Sequence, residues 1–232
     1  MLHDLNTRRL DRIAKALGEL NEQVVFVGGC VAQLYAEDPA ATDIRPTMDV
    51  DCVVNLSSYP DYNHFCELLR ARRFTNDTRP GAPFCRWTFE DEIIDVMPQE
   101  SFAMGESNRW YKPGMAHKVV YEVSEGLFIN ILPAIYYIAT KLEAISGRGG
   151  NDLRLSHDFE DFIYVLNYCP GLETALNETQ DIALRDYLHD RCSKLLLRPN
   201  IREEVECALP YGETDRLPLV IGLMRRMSAG DF

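Results

Sequence analysis

The first part of the chain alternates amphipathic helical segments with short, wholly apolar runs. Apolar residues recur at helical spacing over residues 10–20, with charged residues between them. The run Val24–Val27 follows and stops at Gly28-Gly29, which predicts a buried strand that ends in a tight turn. We expect a helix over residues 30–37 after this turn, and then a loop over residues 38–47.

Strand signals dominate the next stretch of the chain. Ser58 and Pro60 predict the start of a helix that separates two of these strands. The acidic tripeptide at residues 90–92 predicts the turn of a hairpin. The predicted strands are residues 49–54, 84–89, 93–97 and 127–132.

After Pro133 the apolar residues follow helical spacing only, and glycines and prolines separate the segments. The predicted helices are residues 134–145, 158–167, 181–196, 201–209 and 217–227. A mixed half followed by a helical half predicts an α+β fold, with one domain at residues 1–132 and a second, helical domain at residues 133–232.

Composition narrows the class of protein. The 232 residues include 24 Lys+Arg and 36 Asp+Glu, so the formal net charge is −12. Because 46% of the residues are hydrophobic, a largely disordered chain is excluded. No apolar stretch approaches the roughly 20 residues of a membrane span, and the first residues do not resemble a secretory signal. We therefore expect a soluble, cytoplasmic protein without a membrane partner.

Cysteine and histidine spacing argues against a disulfide framework and against zinc. The seven cysteines are odd in number, widely scattered and without a C-x-x-C pair. The five histidines show neither H-x-x-x-H nor H-E-x-x-H spacing. The acidic balance also disfavours a general nucleic-acid binder, although a local basic face is compatible with it.

Three aspartates are candidates for cation chemistry. Asp49 and Asp51 are two residues apart in a predicted strand, so we expect both on one face. Two carboxylates about 4 Å apart repel each other by about 4 kcal/mol at an effective dielectric of 20, and a hard cation such as Mg²⁺ offsets that repulsion. Asp95 lies within the apolar strand 93–97 and would complete the set if the two strands are neighbours. A solvated strand face is the alternative interpretation.

The order of these features resembles the nucleotidyltransferase superfamily related to DNA polymerase β. Residues 27–29 (Val-Gly-Gly) and 45–51 (Arg-Pro-Thr-Met-Asp-Val-Asp) are most similar to the nucleotidyltransferase-type toxins of bacterial abortive-infection (type IV toxin–antitoxin) systems. In the second half, residues 141–144, Arg148 and residues 157–161 are similar to helical motifs of the same toxins. The resemblance covers roughly residues 24–166.

The resemblance implies a polymerase-β-like nucleotidyltransferase domain of mixed sheet and helices, whose cleft the helical domain completes. It implies Mg²⁺-dependent transfer of a nucleoside monophosphate from a nucleoside triphosphate to an acceptor hydroxyl. Asp49, Asp51 and Asp95 would hold Mg²⁺, and Asp95 would act as general base. The residues implied to meet the nucleotide are Gly28, Gly29, Cys30, Thr47 and Lys141.

Asp158 is implied to orient Lys141 or to contact the nucleotide or acceptor. A solvated lysine and a helix-starting aspartate are the structural alternatives for this pair. The sequence also departs from the family pattern, since Gly29 stands where many members have serine and His157 stands where the toxins often have lysine. Roles for Cys30, Arg45, Arg86 and His157 stay open at this point.

Several acceptors and functions are compatible with the sequence. RNA, with tRNA 3′ ends first, and protein are the expected acceptors of a toxin-like enzyme, and a cognate antitoxin is the expected partner. An aminoglycoside-type small-molecule nucleotidyltransferase is one alternative. A non-catalytic, antitoxin-like binding module is the other.

Overall fold

The computed structural model describes residues 5–56, 58–100, 107–148 and 150–230. The chain forms two compact units. The first consists of Met1–Val31 with Arg45–Pro133, and the second of Ala32–Ile44 with Ala134–Phe232. The chain thus enters the second unit after Pro133, while residues 32–44, placed by the sequence analysis in the first domain, belong to the helical unit.

The first unit is built on a mixed β-sheet, which confirms the α+β fold class. Among the described residues the sheet has seven strands in the order β3-β4-β5-β2-β1-β7-β6. The central strand β2 runs antiparallel to β1 and parallel to β5. The strands are β1 Val24–Val27, β2 Val50–Val54, β3 Thr75–Asn76, β4 Arg86–Phe89, β5 Glu92–Pro98, β6 Val119–Ser124 and β7 Leu127–Ile131.

Helices and 3-10 turns flank this sheet. The α-helices of the first unit are α1 Leu5–Leu17, α2 Tyr59–Ala71 and α3 Tyr111–Ala116, and a 3-10 turn occupies Gly18–Gln23. A second 3-10 turn, Gly29–Tyr35, begins in the first unit and continues into the residues of the second. Helix α1 buries Leu10, Ile13, Ala14 and Leu17, which is the helical spacing that the sequence shows. The side chain of Ser58 caps α2 by accepting a hydrogen bond from the Asp61 amide.

The second unit is helical, as predicted. Its α-helices are α4 Ala134–Arg148, α5 His157–Tyr168, α6 Gly171–Glu178, α7 Ile182–Leu196, α8 Ile201–Ala208 and α9 Leu217–Ala229. Helix α5 is buried almost along its whole length, including Phe159 and Phe162, so it forms the centre of this unit. No helix in the described part of the chain combines the length and apolar character that crossing a membrane requires.

Residues 32–44 join the helical unit through specific contacts. The ring of Tyr35 packs 4.6 Å from that of Tyr137, and the hydroxyl of Tyr164 donates a hydrogen bond to the carbonyl of Thr42 at 2.8 Å. The amide of Glu37 donates to the carbonyl of Tyr168 at 2.9 Å. These partners lie far along the chain, so the local pattern that predicted a loop here does not reveal them.

Candidate active site

The three candidate aspartates lie at the middle of the sheet, on or beside β2 and β5. Asp51 is opposite Asp95 in the parallel β2–β5 pair, and Asp51 is also opposite Val27, the last residue of β1. Asp49 directly precedes β2, so it lies just outside the strand that was predicted to begin with it, and its sharing a face with Asp51 stays a prediction. We call Asp49, Asp51 and Asp95 the acidic cluster.

Arg86 binds two members of the acidic cluster. It lies on β4 opposite Asp95, and its guanidinium donates through Nε and Nη2 to the two carboxylate oxygens of Asp95, both at 2.8 Å. The same Nη2 donates to Oδ2 of Asp49 at 2.8 Å. Asp49 and Asp95 oxygens are therefore separated by no more than two hydrogen-bond lengths.

Burial strengthens the electrostatics of this cluster. Asp95 is 7% exposed, whereas Asp49, Asp51 and Arg86 are half-buried. Hydrogen bonding to Asp95 raises the pKa of the Arg86 guanidinium above its ordinary value, and the charges of Asp95 and Asp49 add to the shift. Arg86 thus stays protonated, and the three carboxylates with one guanidinium carry a net charge of about −2.

The charges of the acidic cluster also shift the pKa of two neighbouring cysteine thiols. Burial raises the pKa of the Cys85 thiol to about 11, and the negative charge of Asp95 adds to the shift. Burial, followed by the charges of Asp51 and Asp95, also raises the pKa of the Cys52 thiol. Both thiols are protonated at neutral pH, which makes them poor nucleophiles and poor metal ligands.

Gly28 makes room for Asp51. Its φ of +73° lies in the left-handed region, and a Cβ added there would lie 1.9 Å from Oδ2 of Asp51. The glycine that follows β1 therefore serves the close approach of a carboxylate from the neighbouring strand. The turn also leads directly into the 3-10 turn Gly29–Tyr35, where an α-helix was predicted.

We expect Gly28→Ala to destabilise the protein more than Gly126→Ala does. Gly126 has nearly the same φ, +71°, but no atom lies within 4 Å of an added Cβ, so Gly126→Ala carries only the left-handed strain of about 1–2 kcal/mol. Gly28→Ala must in addition displace Asp51, which adds about 1–3 kcal/mol. Urea unfolding of both variants measures the difference, and equal losses would contradict the close packing.

A residue of helix α1 forms hydrogen bonds to the backbone of the segment before Asp49. Asn6, fully buried, accepts a hydrogen bond from the Thr47 amide at 2.9 Å and donates one to the Arg45 carbonyl at 3.1 Å. The hydroxyl of Thr47 donates to the carbonyl of Asp49 at 2.9 Å. The side chain of Cys30 is fully buried and donates to the carbonyl of Asn6 at 3.5 Å. Thr47 and Cys30 thus support the backbone around Asp49.

The acidic cluster offers the oxygen donors that Mg²⁺ prefers. In the described residues, however, no set of three or more His, Cys, Asp or Glu side chains is arranged as a metal site. At the acidic cluster, the guanidinium of Arg86 takes the place between Asp49 and Asp95 that a shared cation would take. The donor chemistry fits a divalent cation provided that Arg86 gives up these contacts.

A second charged cluster lies within the helical unit. Lys141 on α4 is 5% exposed and its Nζ lies 2.6 Å from Asp161 Oδ2 and 3.3 Å from Asp158 Oδ1, both on α5. Asp161 is 1% exposed, so the closer contact is fully buried. A solvated lysine is thereby excluded, while the predicted role of Lys141 towards a triphosphate stays a prediction.

Sequence reasoning missed several residues of these clusters. Arg86 had no assigned role, although an arginine within an apolar hairpin strand is a signal for a buried acidic partner. Asp161 was part of a quoted motif without a role of its own, and its spacing of three from Asp158 places both on one face of a helix. No local signal points to Asn6.

The architecture agrees with a solved structure. The crystal structure of an antigenic nucleotidyltransferase-like protein from Paracoccidioides brasiliensis aligns over 87% of this chain and 92% of the other, with a TM-score of 0.51 and 18% sequence identity. The fold is nucleotidyltransferase-like. Because the alignment covers 87% of this chain, it includes residues from both the mixed half and the helical half.

A second similar structure is JHP933 from Helicobacter pylori. It aligns over 97% of this chain and 96% of the other, with 13% identity and a TM-score of 0.44. No protein-family model matches the sequence, and no curated protein matches it. The evidence for the nucleotidyltransferase-like fold is therefore structural.

Proposed function

We propose that this protein is a nucleotidyltransferase that moves a nucleoside monophosphate from a nucleoside triphosphate to an acceptor hydroxyl. The observations that carry the proposal are the register that sets Asp51 opposite Asp95 and the contact of Asp49 and Asp95 with one guanidinium, beside the Gly28 turn of a nucleotidyltransferase-like fold. Arg86 supplies one positive charge to these three aspartates, and a bound cation would offset the repulsion that remains.

In the proposed reaction the acceptor oxygen bonds to the α-phosphorus while the bond from that phosphorus to the bridging oxygen breaks. Pyrophosphate leaves, and the acceptor proton passes to a carboxylate oxygen of Asp95. The backbone amides that follow Gly28 and Gly29 would donate hydrogen bonds to the phosphates, as the family resemblance implies. Thr47 and Asn6 would keep Asp49 in position through their hydrogen bonds.

Asp49, Asp51 and Asp95 are the residues proposed to hold Mg²⁺. Bound there, the cation would neutralise triphosphate charge and polarise the α-phosphate. The contribution of the protein is the strand pairing that sets Asp51 opposite Asp95, with Asp49 directly before the same strand.

For the acceptor, the sequence resemblance supports RNA, with tRNA 3′ ends first, and a toxin-like role with a cognate antitoxin. The similarity of residues 45–51 to the abortive-infection toxins carries this part of the proposal. Transfer to a protein or to an aminoglycoside would replace RNA as the proposed acceptor.

The test is incubation of the purified protein with each α-labelled nucleoside triphosphate, Mg²⁺ and, separately, tRNA, cell protein or an aminoglycoside. We expect label in the tRNA arm, release of pyrophosphate in equal amount, and loss of both when EDTA removes the metal. Label in another arm would support nucleotidyl transfer but show that the acceptor is not tRNA. Absence of label and pyrophosphate in every arm would contradict nucleotidyl transfer and favour a binding module.

A further inference from the structure

Arg86 is the cation that the acidic cluster holds in the structure. All three of its hydrogen bonds to the cluster measure 2.8 Å, and Nη2 is shared between Asp49 and Asp95. Both oxygens of Asp95 accept from this one guanidinium, in the two-pronged geometry that gives arginine–carboxylate pairs their strength. Both oxygens of Asp95 thus already accept from Arg86, so transfer of a substrate proton to Asp95 would have to compete with this pair.

A divalent cation would compete with Arg86 for the carboxylate oxygens of Asp49 and Asp95. A Mg²⁺ ion lies about 2.1 Å from its oxygen ligands, which is closer than the guanidinium nitrogen lies to them. A divalent cation held by Asp49 and Asp95 would lie close to the guanidinium that contacts both residues, and the two positive groups would repel each other. Binding of one therefore excludes the contacts of the other.

Displacement of Arg86 has to be a movement of its side chain. The backbone of Arg86 is fixed on both sides, because its amide donates to the Pro83 carbonyl at 3.0 Å and its carbonyl accepts from the Asp77 amide at 3.0 Å. Register with Asp95 across β4 and β5 fixes it further. The side chain is half-buried, with 24% of its surface exposed, so it has a route towards solvent.

We propose that Arg86 is the resting counter-cation of the acidic cluster and that it competes with the divalent cation for Asp49 and Asp95. The inference rests on the proposed function, since that function makes these carboxylates the cation ligands. Arg86 then sets the metal concentration at which the site becomes active, and it frees Asp95 as a proton acceptor only when the metal arrives.

The test measures Mn²⁺ binding without nucleotide, by the loss of the free-ion signal in electron paramagnetic resonance. We expect Arg86→Gln to bind Mn²⁺ about 10- to 100-fold more tightly than the unsubstituted protein, because the substitution removes a positive charge that contacts the proposed ligands. Combining Arg86→Gln with Asp49→Asn should abolish the gain, which assigns it to the acidic cluster.

Arg79→Gln is the matched control. Arg79 also forms a two-pronged pair, through Nε and Nη2, with Asp77 in the same unit, but it does not contact the acidic cluster in the structure. Its loss removes the same charge, so we expect Mn²⁺ affinity to change less than about twofold. Equal gains in both arginine variants would show a general charge effect and overturn the inference.

Unchanged or weaker Mn²⁺ binding in a folded Arg86→Gln would also overturn the competition. Should that variant not fold, Arg86→Lys carries the test, because a lysine keeps the charge but not the two-pronged contact, and we expect an intermediate gain. Unchanged affinity there would reject the inference.

The nucleotide assay separates this inference from the proposed function. Tighter Mn²⁺ binding with no label transfer in any arm would keep the competition and reject nucleotidyl transfer. Label transfer without a change in Mn²⁺ binding would support nucleotidyl transfer and reject the competition.

Discussion

Asp51→Asn is expected to lower nucleotidyl transfer at least about a thousandfold, which corresponds to about 4 kcal/mol of transition-state stabilisation. Asp51 lies opposite Asp95 in the strand register and against Gly28, so the proposed function makes its carboxylate a cation ligand beside Asp95. Asparagine keeps the shape and the contact with Gly28 but removes the negative charge. The fold should therefore survive while the proposed cation site does not.

Initial rates of label transfer at saturating nucleotide, together with urea unfolding, distinguish the two effects. Asp91→Asn is the matched control, because Asp91 is an exposed aspartate in the β4–β5 turn and removes the same charge. We expect its rate to stay within about twofold of the unsubstituted protein. A folded Asp51→Asn variant with full Mg²⁺-dependent activity would contradict the assignment of the acidic cluster as the active site.

Lys141→Met is expected to destabilise the helical unit by about 3–5 kcal/mol. The substitution leaves Asp161, at 1% exposure, without the ammonium that lies 2.6 Å from it. A buried carboxylate without its partner loses far more than one packing contact, because water cannot replace the lost charge. Combining Lys141→Met with Asp161→Leu and Asp158→Asn should recover most of the loss, since all three charges of the cluster are then gone.

Lys194→Met provides the comparison within the same unit. Lys194 lies 2.7 Å from Asp190, nearly the distance of the buried pair, but 62% of the lysine and 48% of the aspartate side chain are exposed. We expect a cost of no more than about 1 kcal/mol for this exposed pair. Urea unfolding of the two single variants decides the point, and similar losses for both would mean that burial does not control the Lys141 cluster.

The elements that the sequence predicts best are those with strong local patterns. The apolar run of β1, the helical spacing of α1 and the capping serine of α2 all appear in the structure. Short or polar elements were missed, namely β3, β6, α3 and α6. The shortest of these elements depend on their neighbours, because the two-residue strand β3 and the six-residue helix α3 have too few residues to carry a period of their own.

For the candidate site residues, too, local patterns predict the residues themselves but not their partners. Asp51 and Asp95 stand out along the chain because each is an acidic residue inside an apolar strand. The strand register that places them opposite each other is absent from any local pattern, since β2 and β5 are joined by a long connection. The partner of Asp95 is equally non-local, as Arg86 comes from the neighbouring strand of the hairpin.

By itself, the sequence determined the α+β class, the helical second half and the three aspartates that warrant attention, because propensity and periodicity act over a few residues. Only the tertiary structure decided that residues 32–44 join the helices, that Asp49 precedes its strand, and that Arg86 lies between two carboxylates. Those outcomes depend on which distant segments pair to bury apolar surface, and that choice is made by the whole chain at once.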